Sequence, residues 1–515
     1  MTNPFEIDRR SFLGLSLSGL AGLAAARPEP VAAAYPNDIV GLDARSLVGL
    51  IRTRKLSCVE VMAAHLDHIE RLNPSVNAIV ALQDREELFG QAHAKDDALT
   101  RGDAVGPLHG LPHAVKDLQP VKGIRTTFGS PIFKDFVPSE DSLMVGRLRR
   151  AGVIFIGKTN SPEFGLGSHT FNPVYGATKN AYDQSRTAGG SSGGAAVSLA
   201  LRMLPLADGS DYGGSLRNPA GWNNVFGFRT SIGLVPNDGR EVWLPSMGVS
   251  GPMARNPADL ALLLSVQAGY DRKVPLSIDA GDPSRWLSDL DKDFKGARIA
   301  WAGNFHGATP YGPEVQSVCQ EALKAFESLG CVVEEAVPDY SADAVWNAFI
   351  QLRAWQQGGN LLPHYKDPAK RALLKPEAIY EIETGLKLSA FDITAASQIR
   401  SDWSKATDRL FERYDFLLVP TAQLFPFDIS WRWPAEIAGT PMATYHEWMK
   451  AVCLITMTGC PALAVPAGFS QAGLPIGLQI VAPNRKDLAA LQLANAYHKA
   501  TGWTEKRPPP LLAKA

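Results

Sequence analysis

Two loops rich in glycine and serine could bring nucleophiles and backbone N–H groups together. Residues 187–194 read TAGGSSGG, and residues 208–215 read DGSDYGGS, with an alanine-rich, helix-like stretch following the first. Successive glycines allow close backbone approach, so several N–H groups can converge on one anion. An oxyanion hole for a tetrahedral intermediate requires that arrangement. One such loop is usually a surface turn, but two in an apolar context favour a functional site.

Three explanations compete for the first loop. A phosphate-binding loop would need a lysine after its glycines, and none follows here. Residues 189–193 match the Gly-x-Ser-x-Gly nucleophile elbow, which would make Ser191 the nucleophile, but an elbow follows an apolar strand and residues 180–186 are polar. The third explanation combines both serine loops with a distant lysine. Lys116 is the candidate, although a lysine that ends an apolar strand is usually a solvated charge.

The order and spacing of these segments resemble those of the amidase signature family. The lysine motif is PLHGLPHAVKD at 107–117, followed by GGSSGG at 189–194 and DYGGSLRNPA at 211–220. Ser191 and Ser215 lie 24 residues apart, which is the family's spacing. Further matches are GKTNSPEFG at 157–165, GPMAR at 251–255 and GLPIGLQ at 473–479. Several independent motifs in one order make this resemblance specific from about Asp38 to the last helix.

The resemblance implies roles for individual residues. Ser215 is the expected nucleophile, and Ser191 is the bridging serine that this family places on a cis peptide bond. Neutral Lys116 is the base that acts through Ser191, and Ser192 helps to hold the lysine. Backbone N–H groups of the second loop are expected to form the oxyanion hole: Tyr212, Gly213 and Gly214, together with Ser215.

The proposed base must satisfy a physical condition. A free lysine has a pKa of about 10.4 and is protonated at neutral pH, but burial lowers that pKa by disfavouring the charged form. We therefore expect Lys116 to be buried. We also expect Asp117 to point away and make a structural hydrogen bond, since a carboxylate beside the ammonium would raise the pKa of the lysine. For His109 the family role is structural, whereas His113 could equally line a pocket or pack in the core.

Strand-like and helix-like segments alternate along the chain and would position these residues. Ser57 and Glu60 form a capping box that opens a helix, which Asn73-Pro74 is expected to end. This alternation predicts an α/β fold with helices on both faces of a sheet. With the resemblance, it predicts one large domain at 35–515 with a mixed β-sheet core, the amidase signature fold. The other predicted helices are 314–329 and 487–501, and the predicted strands are 153–156, 298–301, 332–333, 416–419, 461–466 and 474–481.

The first 34 residues read as an export signal. Arg9-Arg10 precede a short apolar run at 13–26, and small residues at 24–26 and 32–34 offer cleavage sites. The paired arginines make the segment resemble a twin-arginine signal. We therefore expect an exported protein, periplasmic in a Gram-negative source. An N-terminal core helix is the alternative, while a membrane span would need about 20 apolar residues.

Composition narrows the partners. The chain has 515 residues, a net charge of −1, 45% hydrophobic residues and 20% charged residues, typical of a soluble globular protein. This charge balance argues against nucleic acid as a partner. The five cysteines form no zinc or disulfide pattern, so we predict neither a metal nor a cofactor. The expected partner is a small amide substrate, with no stable membrane insertion after signal removal; a homodimer is left open.

Some departures from the family pattern bear on the substrate. Tyr212 stands where many members have a small residue, and Arg217 matches an arginine whose usual role is structural. Aromatic lining favours an apolar or aryl amide, although core packing is expected for most of these rings. Six of the eleven tryptophans lie between about 341 and 450: Trp346, Trp355, Trp403, Trp431, Trp433 and Trp448.

Several functional classes fit this sequence to different degrees. An amidase is favoured, and an esterase or carbamate hydrolase could use the same site. The A-type subunit of an amidotransferase shares the motifs, but its partner complex works in the cytoplasm, which the export signal argues against. A Ser-His-Asp hydrolase built on Ser191 would need a histidine as base: His306, His364, His446 or His498. A non-catalytic protein on the same fold is least favoured, because all three catalytic positions are filled.

Overall fold

The computed structural model describes residues 39–239, 241–244 and 247–514. The predicted signal peptide at 1–34 lies outside these residues. The helices are α1 Ala44–Arg52, α2 Cys58–Val76, α3 Arg85–Arg101, α4 Leu143–Ala151, α5 Gly193–Ala200, α6 Arg217–Trp222, α7 Pro257–Gln267, α8 Arg285–Ser288, α9 Val315–Ser328, α10 Ala342–Lys366, α11 Pro368–Arg371, α12 Pro376–Gly385, α13 Ala390–Phe411, α14 Lys450–Thr458, α15 Asp487–Thr501 and α16 Trp503–Lys506. Among the described residues, no helix is both long enough and apolar enough to cross a bilayer.

The strands of the described residues form a large mixed sheet and three smaller ones. The large sheet has the order β10-β9-β11-β15-β14-β7-β8-β6; its first three strands are parallel, and the remaining neighbours are antiparallel. The strands are β1 Ile79–Val80, β2 Pro112–Lys116, β3 Ile154–Thr159, β4 Phe171–Asn172, β5 Gly176–Ala177, β6 Ala207–Asp211, β7 Phe226–Arg229, β8 Val249–Ala254, β9 Arg298–Trp301, β10 Val332–Glu335, β11 Phe416–Pro420, β12 Glu436–Ile437, β13 Thr440–Pro441, β14 Ala462–Phe469 and β15 Pro475–Val481.

Helices flank the large sheet and complete a single-domain α/β fold. Helices α6, α9 and α15 all pack on β14, which is buried along nearly its whole length. Continuous apolar strands of this kind are expected where both faces of a sheet are covered. The predicted fold class and the main predicted strands are confirmed, and the closing helix has the predicted bounds.

One predicted boundary is wrong. Helix α2 runs through Pro74 to Val76 instead of ending at Asn73. Asn77 ends it in the left-handed conformation and donates its N–H to the carbonyl of Asn73, while the Asn73 side chain accepts from the N–H of Ala78 at 2.9 Å. This cap, which the Asn-Pro rule does not consider, completes a further turn.

A small three-stranded sheet carries the candidate base. Its order is β1-β3-β2, and β2 and β3 run parallel. Lys116 pairs with Thr159, and Val115 pairs with Lys158. Since successive side chains of a strand point to opposite faces, Lys116 and Lys158 face opposite sides of this sheet. Asp117, the next residue after Lys116, follows the Lys158 side.

Candidate active site

Lys116 is buried at the end of β2 and contacts three serine hydroxyls. Its Nζ lies 2.8 Å from Ser191 Oγ, 2.8 Å from Ser192 Oγ and 3.0 Å from Ser210 Oγ. The apolar sequence of β2 carries the lysine into the interior, and the two serine loops supply the hydroxyls. The structure thus brings Lys116, Ser191 and Ser192 together as predicted, and it adds Ser210.

Burial lowers the pKa of Lys116 to about 7, although Asp208 and Asp211 raise it. A substantial fraction of the amine is therefore neutral near neutral pH. The expectation that Asp117 points away is also confirmed. Its carboxylate accepts hydrogen bonds from the N–H of Thr127 at 3.1 Å and from Thr127 Oγ1 at 2.5 Å, and it lies 3.9 Å from Lys158 Nζ.

The first serine loop is irregular and meets the second loop directly. The Gly190–Ser191 peptide bond is cis, as the resemblance implies. Residues 187–192 precede α5 without a strand before them, so the strand-to-helix geometry of a nucleophile elbow is absent from this loop. The N–H of Ser192 donates to the carbonyl of Ser215 at 3.2 Å, which joins the loops.

Ser215 lies at the edge of this cluster. It is 6% exposed, and Ser191 is 2% exposed. In the described part of the chain, the Ser215 hydroxyl has no hydrogen-bond partner, so the link from Ser191 to Ser215 is not made in this structure. The predicted nucleophile is therefore joined to the first serine loop through the Ser192–Ser215 backbone bond, and no hydrogen-bonded chain through Ser215 Oγ is formed among the described residues.

The second loop presents backbone donors, but not all of those predicted. The N–H of Gly214 already donates to Asp211 Oδ1 at 2.9 Å, so it is not free to bind an oxyanion. Within the described residues, the N–H groups of Tyr212, Gly213 and Ser215 have no acceptor. Gly214 has a φ of +102°, and a Cβ there would lie 2.1 Å from Asn218 Oδ1, so the loop requires glycine at this position.

A buried ion-pair network underlies the second loop. Arg217 donates to both oxygens of Asp211 at 2.9 Å and also to the carbonyl of Val452 at 2.9 Å. Burial alone would raise the pKa of Asp211, but Arg217 and Arg229 hold it well below its usual value. Arg217 thus has the structural position that the resemblance implied, and its donors are already used within the protein.

The histidines have other partners. Nε2 of His109 lies 3.0 Å from the carbonyl of Lys95, in keeping with a structural role. The four alternative bases have these positions: His446 bonds to Glu381 at 2.8 Å, His364 stacks on Phe164 with ring centroids 6.0 Å apart, His498 lies 3.7 Å from Glu505, and His306 is exposed. None of these contacts involves Ser191 or Ser215.

One face of α10 forms a wall beside the second loop. The hydroxyl of Tyr212 donates to Gln356 Oε1 at 2.8 Å, and Arg353 lies over the Tyr212 ring at 5.1 Å. Phe349 belongs to the same face and lies against the second loop. A Cβ added to Gly213 would be only 3.3 Å from the Phe349 ring. Phe349, Arg353 and Gln356 follow helical spacing, a signal that could have identified this face although the sequence analysis missed it.

The tryptophans divide between this wall and the core. Trp346 stacks on Phe349 with centroids 5.6 Å apart. Trp448 stacks on Trp222 at 5.4 Å, and buried Trp403 donates to the carbonyl of Leu454. The expected core packing is confirmed for the buried Trp403 and Trp448, and the partly buried Trp346 and Trp433 also pack against the core, whereas Trp431 is 50% exposed.

Two residues of β6 were not singled out in the sequence. Asp208 and Ser210 alternate along the strand and so share one face, towards β2. Asp208 Oδ2 accepts the main-chain N–H of Lys116 at 3.3 Å. The two-residue periodicity of 208 and 210 was the available signal.

The two largest cavities described, of about 770 and 760 Å³, lie elsewhere. One is lined by residues that include Trp286 and Arg485, and the other by residues that include Arg255 and His498. Neither includes Lys116, Ser191 or Ser215. The cluster around Lys116 therefore does not open into either of these large cavities.

This chain is similar to known proteins over most of its length. The family model described as Amidase matches residues 60–491. An acylamidase of Rhodococcus erythropolis is 34% identical over 477 residues, covering 92% of this chain and 98% of that protein. The A-type subunit of the glutamyl-tRNA(Gln) amidotransferase of Moorella thermoacetica is 34% identical over 490 residues, covering 91% and 98%. The crystal structure of a bacterial aryl acylamidase of the amidase signature family has a TM-score of 0.85 and 29% identity, covering 91% of this chain and 98% of that one.

Proposed function

This chain belongs to the amidase signature family of hydrolases, and from that premise we propose that it hydrolyses a carboxylic amide through an acyl-enzyme on Ser215. One observation carries the proposal. Buried Lys116 has a pKa lowered to about 7 and lies 2.8 Å from Ser191 Oγ. Serine needs an adjacent base to act as a nucleophile, and a neutral lysine can serve through a bridging hydroxyl.

Acylation begins with Ser215 Oγ attacking the amide carbonyl carbon. The Ser215 proton passes to Ser191 Oγ while the Ser191 proton passes to Lys116 Nζ. The tetrahedral intermediate then collapses and the C–N bond breaks. Lys116 Nζ returns a proton to Ser191 Oγ while Ser191 passes a proton to the leaving nitrogen. Ser215 Oγ must turn towards Ser191 for this step, and catalytic hydrogen bonds often tighten only when substrate binds.

Deacylation uses the same groups. A water molecule attacks the Ser215 ester while Ser191 and Lys116 take up its proton, and the acid product leaves as Ser215 regains its hydrogen. The N–H groups of Tyr212, Gly213 and Ser215 stabilise the negative oxygen in both steps. One such donor contributes about 3 kcal/mol to the transition state in other enzymes.

The wall of α10 favours an apolar or aryl group on the substrate. The rings of Tyr212, Phe349 and Trp346 pack against one another beside the oxyanion donors. Phe349 is buried beneath them, whereas Tyr212 and Trp346 are only partly buried and could contact a substrate. Flat apolar groups gain both buried area and edge-to-face contacts against such rings. The names of the acylamidase and aryl acylamidase relatives support the same substrate class.

The test is hydrolysis of a substrate panel by purified protein. The panel contains aryl, primary, peptide C-terminal and carbamate substrates, and the readouts are the released amine and the mass of the trapped acyl-enzyme. We expect S215A to abolish both signals, with S198A as the control, since Ser198 donates to the carbonyl of Gly194 inside α5. If S215A stays active while S191A and a histidine variant are inactive, the Ser-His-Asp alternative is correct.

An ammonia-generating amidotransferase component is the second candidate. It is favoured by relatives named as the A-type subunit of glutamyl-tRNA(Gln) amidotransferase, which match nearly their whole length. Release of ammonia from glutamine, faster than from any panel amide, would support it. An esterase would instead cleave the matched aryl ester and leave the anilide intact.

We also propose that residues 1–34 direct export through a twin-arginine pathway, on the basis of Arg9-Arg10 and the apolar run that follows. Replacing both arginines with lysine should retain the protein in the cytoplasmic fraction. Unchanged export of that variant would refute the proposal.

A further inference from the structure

His113 is a buried polar residue that takes no part in the proposed acylation and deacylation steps. It lies on β2, three residues before Lys116, and is fully buried. Its Nε2 is 3.0 Å from Asp208 Oδ1, and its ring meets Phe155 edge-on at 6.3 Å. A buried histidine bonded to a buried carboxylate is more costly to desolvate than an apolar residue, so the pair calls for an explanation.

Asp208 connects this histidine to the candidate base. Besides His113, both of its oxygens accept the main-chain N–H of Lys116, at 3.4 and 3.3 Å. No hydrogen bond joins the Asp208 carboxylate to Lys116 Nζ in the described structure, where the amine contacts serine oxygens instead. The carboxylate is thus close enough to act on the lysine but is bonded to its backbone.

Asp208 is also the carboxylate with the strongest influence on the lysine. Of the two that raise the pKa of Lys116, Asp208 acts more strongly than Asp211. Asp211 is paired with Arg217 and Arg229, whereas the side-chain partner of Asp208 is His113. The charge beside the base therefore depends on how Asp208 is held.

We propose that His113 and Asp208 form a positioning pair that fixes a negative charge behind Lys116 and sets the lowest pH at which the lysine acts as a base. The His113 N–H and the Lys116 backbone N–H hold the carboxylate away from the amine. Without the imidazole, the carboxylate would pair with the ammonium and keep it protonated. This inference rests on the proposed function, because it assigns Lys116 the role of base.

The surroundings leave few other sources of charge. Among the described residues, Asp208 and Asp211 on β6 are the charges that raise the pKa of Lys116, and His113 on β2 and Lys158 on β3 are the groups that interact with Asp208. Arg217 on α6 and Arg229 on β7 pair with Asp211 instead. Lys158 is directed towards Asp117 on the other face of the small sheet. Asp208 nevertheless raises the pKa of Lys158 as well as that of Lys116, so D208N should affect both lysines, and only the signal of Lys116 itself tests the pair.

The experiment measures the acid limb of the pH profile of kcat/KM. D208N keeps the size of the side chain and removes its charge, so the limb should move to lower pH by about one unit. H113L removes the donor, so the limb should move to higher pH. H113Q, which retains an N–H donor, should stay close to the wild-type profile, and D208N/H113L should follow D208N.

A second readout separates this inference from the proposed function. In S215A protein labelled with 15N-lysine, the Nζ signal of Lys116 reports its protonation without any turnover, and K116M identifies that signal. Shifts in opposite directions for D208N and H113L support the pair even if Lys116 proves not to be the base. If both variants lose stability but neither moves the titration of Lys116, the pair is only structural and the proposal is wrong. If D208N does not fold, the titration of Lys116 in H113L and H113Q tests the pair: a shift in H113L but not in H113Q supports it, and no shift in H113L contradicts it.

Discussion

Two buried lysines on neighbouring strands have different partners. Lys116 ends β2 and Lys158 lies on β3, and both side chains are fully buried. Burial lowers the pKa of Lys116 to about 7 and that of Lys158 to about 8. By burial and charge alone, either lysine could supply a neutral amine near neutral pH.

Their hydrogen-bond partners separate them. Lys116 contacts the hydroxyls of Ser191 and Ser192, each able to accept one proton and donate another. Lys158 bonds to the carbonyl of Gln119 and to Thr126 Oγ1 at 3.0 Å, with Asp117 3.9 Å away. A carbonyl and a carboxylate only accept, so they favour the ammonium form. The Thr126 hydroxyl also donates to the carbonyl of Ile124 at 3.1 Å, so its proton is already used within the protein. Burial lowers the pKa of both lysines, but only Lys116 contacts a hydroxyl of the two serine loops that could pass a proton to substrate.

The largest effect is expected from replacing the first lysine. K116M should lower kcat by roughly 10²- to 10⁴-fold, the typical contribution of a general base, while the fold is retained because one buried amine is replaced by an apolar chain. Steady-state kinetics measure the loss of kcat, and thermal unfolding measures whether the fold is retained. K158M is the matched control, and an equal loss of kcat per folded molecule in both variants would remove the distinction.

The second lysine should matter mainly for stability. K158M leaves Asp117 buried without its cation, which typically costs about 3–5 kcal/mol. Urea unfolding should show that loss, with kcat per folded molecule within about tenfold of the wild type, since no proton passes through this site. A stable K158M protein would show that Thr127 alone satisfies Asp117.

The pH profile tests the protonation of Lys116. Because the neutral amine is the active form and its pKa is about 7, kcat/KM should rise tenfold per unit below that pH and level off above it. Activity is lost as the pH falls because Lys116 becomes protonated and can no longer accept a proton. A profile that is flat between pH 5 and 8 would contradict a lysine base with a pKa of about 7.

The smallest effects should come from the hydroxyls that only support each lysine. S192A should lower kcat about tenfold, since it removes one bond that orients Lys116, whereas S191A removes the relay and should cost far more. T126A, which removes the corresponding hydroxyl beside Lys158, should leave kcat unchanged. Equal kinetic losses in S191A and S192A would mean that either hydroxyl can relay the proton.

Local sequence predicted much of this molecule correctly. The closing helix has its predicted bounds, and the strand that carries Lys116 is formed. The helix that Asn73-Pro74 was expected to end continues to Val76, because the Asn77 cap completes a further turn. Local rules are reliable where hydrophobic periodicity governs the segment, and they fail where a side-chain cap overrides a breaker.

Partners distant in sequence could not be predicted in the same way. Ser210 Oγ meets Lys116 Nζ although the two residues lie 94 positions apart in the chain. Arg353 and Gln356 meet Tyr212 from a helix that lies more than a hundred residues away in sequence. Helical spacing can indicate that such residues share one face, but it does not report what that face contacts, because the contacts depend on how whole elements pack.

The class of this protein follows from its residues and their spacing: two glycine-serine loops and a lysine motif, in the order of one hydrolase family. Only the packed structure shows which of two buried lysines contacts serine hydroxyls and which contacts a carboxylate. The physical reason is that residue type and chain spacing set the available groups, whereas desolvation and hydrogen-bond partners exist only once the strands have packed.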